Sequence, residues 1–569
     1  MSVRIGVYIC HCGGNISDYV DVEKVRRAIE SEEGVVVAKT TMFVCSEAAQ
    51  KEIIEDVKEK GIDRLVIASC SSKLHLYTFR GVAERAGLNP YQYVQVNIRE
   101  QDSWAHTDDP EGATEKAIRL VRAGIRKVKE SKPLHPIRLD TVKKVLVVGA
   151  GIAGLRAAIT LADMGIYVFV IEKEKEPGGW TGRFARMYPH DRNGKKIVEE
   201  LLKEAKSREE ITIFTGAELI EKSGSVGNFE VKISTKGETV PLNVGTIIVA
   251  TGFDVYSPSE GEFGYGMEGV ITLPEFKELL ENSTGELVYN GKRVKTITYI
   301  YCVGSRQPEG NTYCSRYCCN ATVHAAVLTA KLDPSIRQFH LFRDIRTYGK
   351  FETIYEEAGK LGSVFIKYDE SEPPAVIKEN GSLKIRVKDI LTQREELELE
   401  TDLVVLVTGM VPRKNERLVE ILKLPIGRDG FFNEIHPKLR PVETVIDGVY
   451  IAGAAQGPKN AAEATASALA AAAKSAGLVM KGYVELEPQV AFVNEKICEW
   501  CGKCLEACPY EAIEKRKSGG KEVAYVIEAL CKGCGACVPV CPVDAIDIEG
   551  YTDLQIREMI DALLMEAQQ

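Results

Sequence analysis

The sequence predicts a multidomain α/β protein: an N-terminal open parallel α/β domain, two further α/β domains, and a small α+β domain closing the chain. Three observations lead there. Strand-like and helix-like runs alternate from the first residues to about residue 480, the pattern of parallel sheets covered by helices. A glycine-rich turn, Gly149-Ala150-Gly151-Ile152-Ala153-Gly154, follows the apolar run Lys144-Val-Leu-Val-Val148. After Pro488 the composition changes abruptly, and eight of the sixteen cysteines fall between residues 498 and 541. A chain of 569 residues also exceeds what one hydrophobic core usually serves.

Taken in order, residues 1–135 form the first expected domain. Runs 4–9, 35–44, 64–68 and 91–97 are strand-like, and the amphipathic runs 22–29 and 48–59 lie between them. Ser131-Lys132-Pro133, with Pro136 soon after, reads as a linker. The second domain is expected at 143–255 with a return segment at 437–484. The third, at 256–436, includes strand-like runs 296–301 and 402–408. The Ala-rich run 460–480 is broken by Glu463 and Lys474 and reads as a packed helix, not a membrane span. The Cys-rich domain is expected at 488–550, followed by a C-terminal segment, 551–569, with an amphipathic helix over 554–567. The only internal duplication visible lies within the Cys-rich domain.

Composition narrows the class. The chain is 45% hydrophobic and 27% charged, as in ordinary globular proteins. A net charge of −9 argues against nucleic-acid or membrane-surface partners, both of which need a basic face. Met1-Ser2-Val3-Arg4 leads straight into a strand-like run, so no signal peptide is expected and the location is read as cytoplasmic. A reducing cytosol does not sustain disulfides, which leaves the sixteen thiols for metal, redox chemistry or burial. They fall into sets of four, four and eight, and a 4Fe–4S cube takes four thiolates.

The last set is the most regular. Cys498-x2-Cys501-x2-Cys504-x3-Cys508-Pro509 is followed by Cys531-x2-Cys534-x2-Cys537-x3-Cys541-Pro542. This is the bacterial two-cluster ferredoxin run, twice, in which the fourth cysteine of each run ligates the other cluster. One cluster should take Cys498, Cys501, Cys504 and Cys541, the other Cys531, Cys534, Cys537 and Cys508. Paired structural zinc sites are the alternative, though these usually show two separated C-x2-C pairs.

The glycine turn has the context of a dinucleotide site: a strand before it, a helix after it, and Glu172 at the end of the next strand-like run. Gly149 and Gly151 let backbone approach a pyrophosphate, Gly154 lets helix and strand pack closely, and Glu172 suits the adenosine ribose hydroxyls. The turn, with Ala153, Lys173, the Gly178-Gly179-Trp180 stretch, Ala250-Thr251-Gly252 and the late Gly453-Ala454, resembles two-domain flavoproteins of the thioredoxin reductase type. The resemblance implies a pair of dinucleotide-binding domains holding FAD at Gly149, Gly151, Ala153, Gly154, Glu172, Lys173, Gly179, Trp180, Ala250, Thr251, Gly252, Gly453 and Ala454. An NAD site in the first of them is the alternative. No redox C-x2-C pair lies in either domain. Where the second would carry its phosphate loop stands Cys302-Val-Gly304-Ser-Arg306, which argues against a nicotinamide site. Lys438, in His436-Pro-Lys-Leu-Arg-Pro441, precedes the late flavin strand; it is read as a catalytic candidate beside the isoalloxazine or as a surface lysine.

Two cysteine sets are less regular. Cys302, Cys314, Cys318 and Cys319, with Cys314 and Cys318 one turn apart at the start of a helix over 321–331, are expected to hold a 4Fe–4S cluster in the volume where a pyrophosphate would otherwise lie. Buried small thiols or a vicinal disulfide are the alternatives. Cys10, Cys12, Cys45 and Cys70 each close a strand-like run, and because the carboxyl ends of an open parallel sheet face one crevice, the four are expected to converge on a further 4Fe–4S cluster. Buried structural thiols are the rival. His11, His75 and His106 read as surface or packing residues.

Ile9-Cys-His-Cys-Gly13, Ala68-Ser-Cys-Ser-Ser72, Asn97-Ile-Arg-Glu-Gln101 with Ser103-Trp104, the flavin motif, the Cys302 motif with Tyr313-Cys-Ser-Arg-Tyr-Cys-Cys319, and the closing ferredoxin together resemble the A subunit of heterodisulfide reductase. The resemblance spans nearly the whole chain. It implies an iron–sulfur FAD subunit with four 4Fe–4S clusters that serves B and C subunits, where the coenzyme M–coenzyme B disulfide of methanogenesis is reduced. It also implies a flavin as the point of electron bifurcation, hydrogenase or formate dehydrogenase as donors, ferredoxin as a partner, and a homodimer within the complex. Longer members insert an extra ferredoxin in the first flavin domain, whereas this chain runs without it through 211–233. Asp102 stands where some members have a further cysteine. The rival of another class is a free-standing NAD(P)H-dependent iron–sulfur flavoprotein of the glutamate synthase small-subunit type.

Overall fold

The computed structural model describes residues 3–379 and 381–564. The chain divides into two compact units, residues 1–138 with 485–569, and residues 139–484.

In the first unit, four parallel strands lie in the order Val35–Thr41, Ile5–Cys10, Arg64–Ser69, Tyr93–Asn97. Ile5, Val7, Ile9, Leu65, Val66 and Ile67 are buried along the central strands, the continuous apolar run of a sheet covered on both faces. Ser46 caps the helix Glu47–Lys60, its side chain accepting from the Ala49 N–H, and Gly61 ends that helix in the left-handed conformation. The strand expected over 35–44 ends at Thr41, because residues 42–46 turn back over the first loop. There the Gly13 N–H donates to the Met42 carbonyl and the Val44 N–H to the Cys10 sulfur.

The ferredoxin segment belongs to the same unit. Ala491–Val493 pairs antiparallel with Ile546–Ile548, and Ile513–Ser518 with Lys521–Val526. The C-terminal helix runs over Asp553–Leu564 and packs on the helix Pro110–Lys129; the rest of its expected span, 565–567, lies outside the described residues. Ser131, in the expected linker, is buried and shares a hydrogen bond with Gln555.

The second unit holds two sheets of one design. The first orders its parallel strands Ile211–Thr215, Tyr167–Glu172, Lys144–Val148, Thr246–Val249, Val449–Ile451. The second orders Val364–Lys367, Arg337–Phe342, Thr296–Val303, Leu403–Thr408, Val270–Thr272. Each carries a three-stranded antiparallel meander. The expectation of a single internal duplication is thus corrected: these two domains repeat each other in backbone, with too little residue repetition to show in the sequence. Only Gly216 separates Ile211–Thr215 from the meander strand Ala217–Ser225, so no domain is inserted there. The Cys-bearing helix begins at Cys318, three residues before its expected start, and leaves Cys314 in the preceding loop. Among the described residues no helix is long and apolar enough to cross a membrane.

Candidate functional site

A cavity of about 1220 Å³ opens along the first dinucleotide fold of the second unit, and its lining includes Gly149, Gly151, Ala153, Glu172, Lys173, Gly179, Trp180, Ala250, Thr251, Gly252 and Ala454. Gly149 turns with φ +106° directly against the Ala250 carbonyl, and a Cβ on Gly154 would meet the Gly149 oxygen at 1.8 Å. Side chains at those positions would close the cradle. No side chain caps the helix Ile152–Asp163, so its first N–H groups face the cavity unengaged, as an anion site requires. The Glu172 carboxylate is held by the Ala150 and Glu174 N–H groups at 2.8 and 3.0 Å. Two buried polar atoms of the lining have no protein partner, Trp180 Nε1 and Thr251 Oγ1. A dinucleotide-sized cavity with such atoms fits a bound FAD.

Two expected residues lie elsewhere. Gly453, at φ +68°, does not line the cavity; a Cβ there would meet that of Ala153 at 2.7 Å, so its bareness serves close packing. Lys438 is exposed, is not part of the lining, and bonds by its backbone N–H to His436 Nδ1. Two other lysines line the cavity. Burial lowers the pKa of Lys459, and it brings that of Lys277 down to about 8, while Lys277 also donates to the Arg186 carbonyl. Nothing in their local spacing singles them out; Lys459 precedes Asn460, the N-cap of the helix Ala461–Met480, and only that neighbourhood marked it.

The same cavity is lined by Tyr317 and Ala321, the residues that bracket Cys318, Cys319 and Asn320. A register shift between Ile300 and Val303 bulges the strand at Cys302, which adopts φ +63° and is thereby re-aimed. Cys318 lies within electrostatic reach of Cys302, Cys314 and Cys319, and its thiol is hydrogen-bonded to that of Cys319. That bond, then burial, holds the Cys318 thiol far above its usual range and draws Cys319 down. In the second domain a Cβ on Gly304 would fall 2.0 Å from the Tyr256 ring, which covers the turn.

In the first unit, Cys10 ends the strand Ile5–Cys10 and Cys70 follows Arg64–Ser69. These neighbours flank the point where the strand order reverses, the place where open α/β sheets form their crevice. Cys12 and Cys45 both lie within reach of Cys10, and Cys12 also of Cys70. Burial pushes the Cys10 thiol up to about 11. Arg99 donates to Cys12 Sγ at 3.1 Å.

One ferredoxin thiol crosses to the other half. Cys508 is near Cys531, Cys534 and Cys537. The Ala524 N–H donates to Cys498 and the Ala491 N–H to Cys531, while Ala512 and Ala545 donate to Cys508 and Cys541. Among the described residues no three His, Cys, Asp or Glu side chains converge on a point that a single ion would fill; a four-iron cube asks its thiolates to stand farther apart.

A dinucleotide cradle joined to paired ferredoxin runs defines an iron–sulfur flavoprotein oxidoreductase, binding FAD and 4Fe–4S clusters. The pyridine nucleotide-disulphide oxidoreductase family matches residues 143–294, and the 4Fe-4S dicluster domain family matches residues 491–548. Methanopyrus kandleri has two related iron–sulfur A subunits of CoB–CoM heterodisulfide reductase. Its second is 37% identical, the match covering 91% of this chain and 92% of that protein. Its first is 36% identical over 99% of this chain and 98% of that protein. The A subunit of the H(2):CoB-CoM heterodisulfide,ferredoxin reductase of Methanothermobacter thermautotrophicus is 37% identical over 90% of each. The chain belongs to the family of heterodisulfide reductase A subunits. The alignment with the second Methanopyrus protein runs over 606 positions, more than the 569 residues of this chain, so that relative carries residues absent here.

Proposed function

We propose that this chain is the electron-transferring subunit of a heterodisulfide-reductase-like complex, passing electrons between FAD and four 4Fe–4S clusters toward partner subunits that reduce the coenzyme M–coenzyme B disulfide or a related acceptor. One observation carries the reading: the flavin cavity and the Cys302 set share a wall, at Tyr317 and Ala321. Bound FAD exchanges electrons in pairs or singly, the property that a splitting point between two acceptors needs. The glycine cradle holds the dinucleotide, Trp180 stacks between Phe184 and Phe253 and closes the cavity beside it, and the buried thiols hold the clusters as thiolates once metal displaces their protons.

The relatives' names join hydrogen or formate with CoB–CoM heterodisulfide and ferredoxin. By extension, the partners proposed here are B- and C-like subunits, a hydrogenase or formate dehydrogenase donor, and ferredoxin, in a complex that contains the chain as a homodimer. The NAD(P)H-dependent alternative is disfavoured by the covered turn at Gly304. Two measurements test the proposal. Anaerobic purification of the native complex should co-elute the B- and C-like subunits. Neither NADH nor NADPH should bleach the flavin of the isolated chain; rapid stoichiometric bleaching by either would overturn the assignment of the second domain.

A further inference from the structure

Two arginines set their guanidinium groups beside the Cys302 thiol, Arg306 and Arg343. They reach it from adjacent positions in the sheet. Arg306 follows the strand Thr296–Val303, and Arg343 follows its parallel neighbour Arg337–Phe342. Both are held in place. Arg343 donates to the carbonyls of Arg306 and Ser305 at 2.9 and 3.0 Å and pairs with Glu370; Arg306 donates to Asp344 at 2.8 Å. After these bonds, Nη1 of Arg306 and Nε of Arg343 are buried with no oxygen or nitrogen acceptor, and the acceptor beside both guanidiniums is the Cys302 sulfur. The Arg343 side chain is only 10% exposed. A buried donor left poorly paired is costly, and a lone thiol offers two guanidiniums only one weak acceptor. The sulfurs of an iron–sulfur cube on Cys302 are acceptors of the right kind.

The other thiols are served differently. Backbone N–H groups donate to the ferredoxin cysteines, and they carry dipoles, not net charge. The N-terminal set takes the Val44 and Cys12 N–H groups on Cys10 and one guanidinium bond, Arg99 on Cys12. The Cys302 set also takes backbone N–H groups, that of Arg316 on Cys314 at 3.4 Å and that of Arg346 on Cys319, and adds the two guanidiniums.

We propose that Arg306 and Arg343 raise the reduction potential of the 4Fe–4S cluster held by Cys302, Cys314, Cys318 and Cys319 above those of the two ferredoxin clusters. The proposal rests on that set holding a cluster. An electron arriving there makes the cube one charge more negative, with no bond made or broken and no proton required; its source is the reduced flavin. Fixed cationic charge and hydrogen bonds at the sulfurs stabilise the added charge, and most strongly where water is scarce. The counter-charges offset this only partly, because Asp344 and Glu370 are 46% and 49% exposed and water screens them. Arginine suits the role because it does not give up its proton.

The test uses the full chain, purified anaerobically with FAD and clusters, in a redox titration followed by electron paramagnetic resonance. The signal is assigned by its loss in a variant carrying Cys318→Ser and Cys319→Ser. In the parent protein that signal should appear at the highest potential of the assigned clusters. Arg343→Gln should make its reduction at least tenfold less favourable, 59 mV for one electron, with the ferredoxin signals unmoved, and Arg343→Lys should restore part of the difference. If Arg343→Gln does not retain iron, Arg306→Gln supplies the same measurement with the same expected direction. A signal that is present but unmoved in these variants, or a parent potential below the ferredoxin pair, overturns the tuning alone. If no signal or iron is lost in the cysteine variant, the cluster beneath it falls, and the proposal with it.

Discussion

The ferredoxin segment and the Cys302 site each gather thiols, the first through turns that bring together residues three and four apart, the second through a strand bulge, a loop and the start of a helix. In the ferredoxin the two halves answer each other, with the Ala524 N–H on Cys498 and the Ala491 N–H on Cys531. In the Cys302 site no half repeats another. Cys302 sits in the left-handed region at a bulge, Cys314 in a loop, and Cys318 and Cys319 in the first turn of a buried helix. The difference teaches that a site made by turns announces itself in spacing, while a site made by sheet order is marked only by its residue types. It also separates their electrostatics: backbone N–H groups reach sulfur in both, and at Cys302 neighbouring strands add guanidinium groups.

The comparison breaks most visibly at the glycine turn of the flavin cavity, the other site that its local spacing announces. Gly154→Val forces a branched side chain into the Gly149 carbonyl; it should cost roughly 3 kcal/mol or more and yield protein without flavin, while the ferredoxin signals persist in the other unit. Retained flavin absorbance in that variant would show the cradle to be looser than its contacts imply. Cofactor content comes next. Four cubes require about sixteen iron atoms per FAD; about eight would leave only the ferredoxin pair, and about twelve would remove one of the irregular sites. The variant with Cys318→Ser and Cys319→Ser should lose about four of them and keep its FAD.

Asp102 sharpens the comparison within the N-terminal domain. It is fully buried, neither of its oxygens has a partner, and burial raises its pKa from 3.8 to about 6, against a weaker pull from Lys116. A carboxyl whose folded pKa lies above its unfolded value weakens the fold as pH rises through that interval, and has no such effect below pH 4. The stability advantage of Asp102→Asn over the parent should therefore grow between about pH 4 and 6, by on the order of 2 kcal/mol, measured by denaturant unfolding at several pH values. An advantage that stays flat over that range would place the charge in a wetter setting. The smallest effect belongs to Lys438: Lys438→Ala should change stability by less than about 0.5 kcal/mol and leave the flavin spectrum unaltered.

Much of the site was legible because its causes are local. The ferredoxin runs, the glycine turn and Glu172 depend on residues within a turn or within one strand–helix step, and the structure sets them in that order. Lys438 was misleading because a position shortly before the late flavin strand says nothing about which way its side chain leaves the backbone. Lys459, Lys277, Arg343 and Tyr256 went unread because each reaches its place from an element whose position depends on the whole sheet.

By itself, then, the sequence determined the two cofactor chemistries and the family, since thiol spacing and the glycine turn are short-range requirements of an iron–sulfur cube and of a pyrophosphate. The tertiary structure alone decided that Cys10 and Cys70 flank one crevice, through the strand order that sets Ile5–Cys10 beside Arg64–Ser69. It also set Arg306 and Arg343 together at Cys302, and gave the expected pair of dinucleotide-type domains one strand order. Strand order is a choice among long-range pairings, made by burial of whole faces, and no window of neighbouring residues carries it.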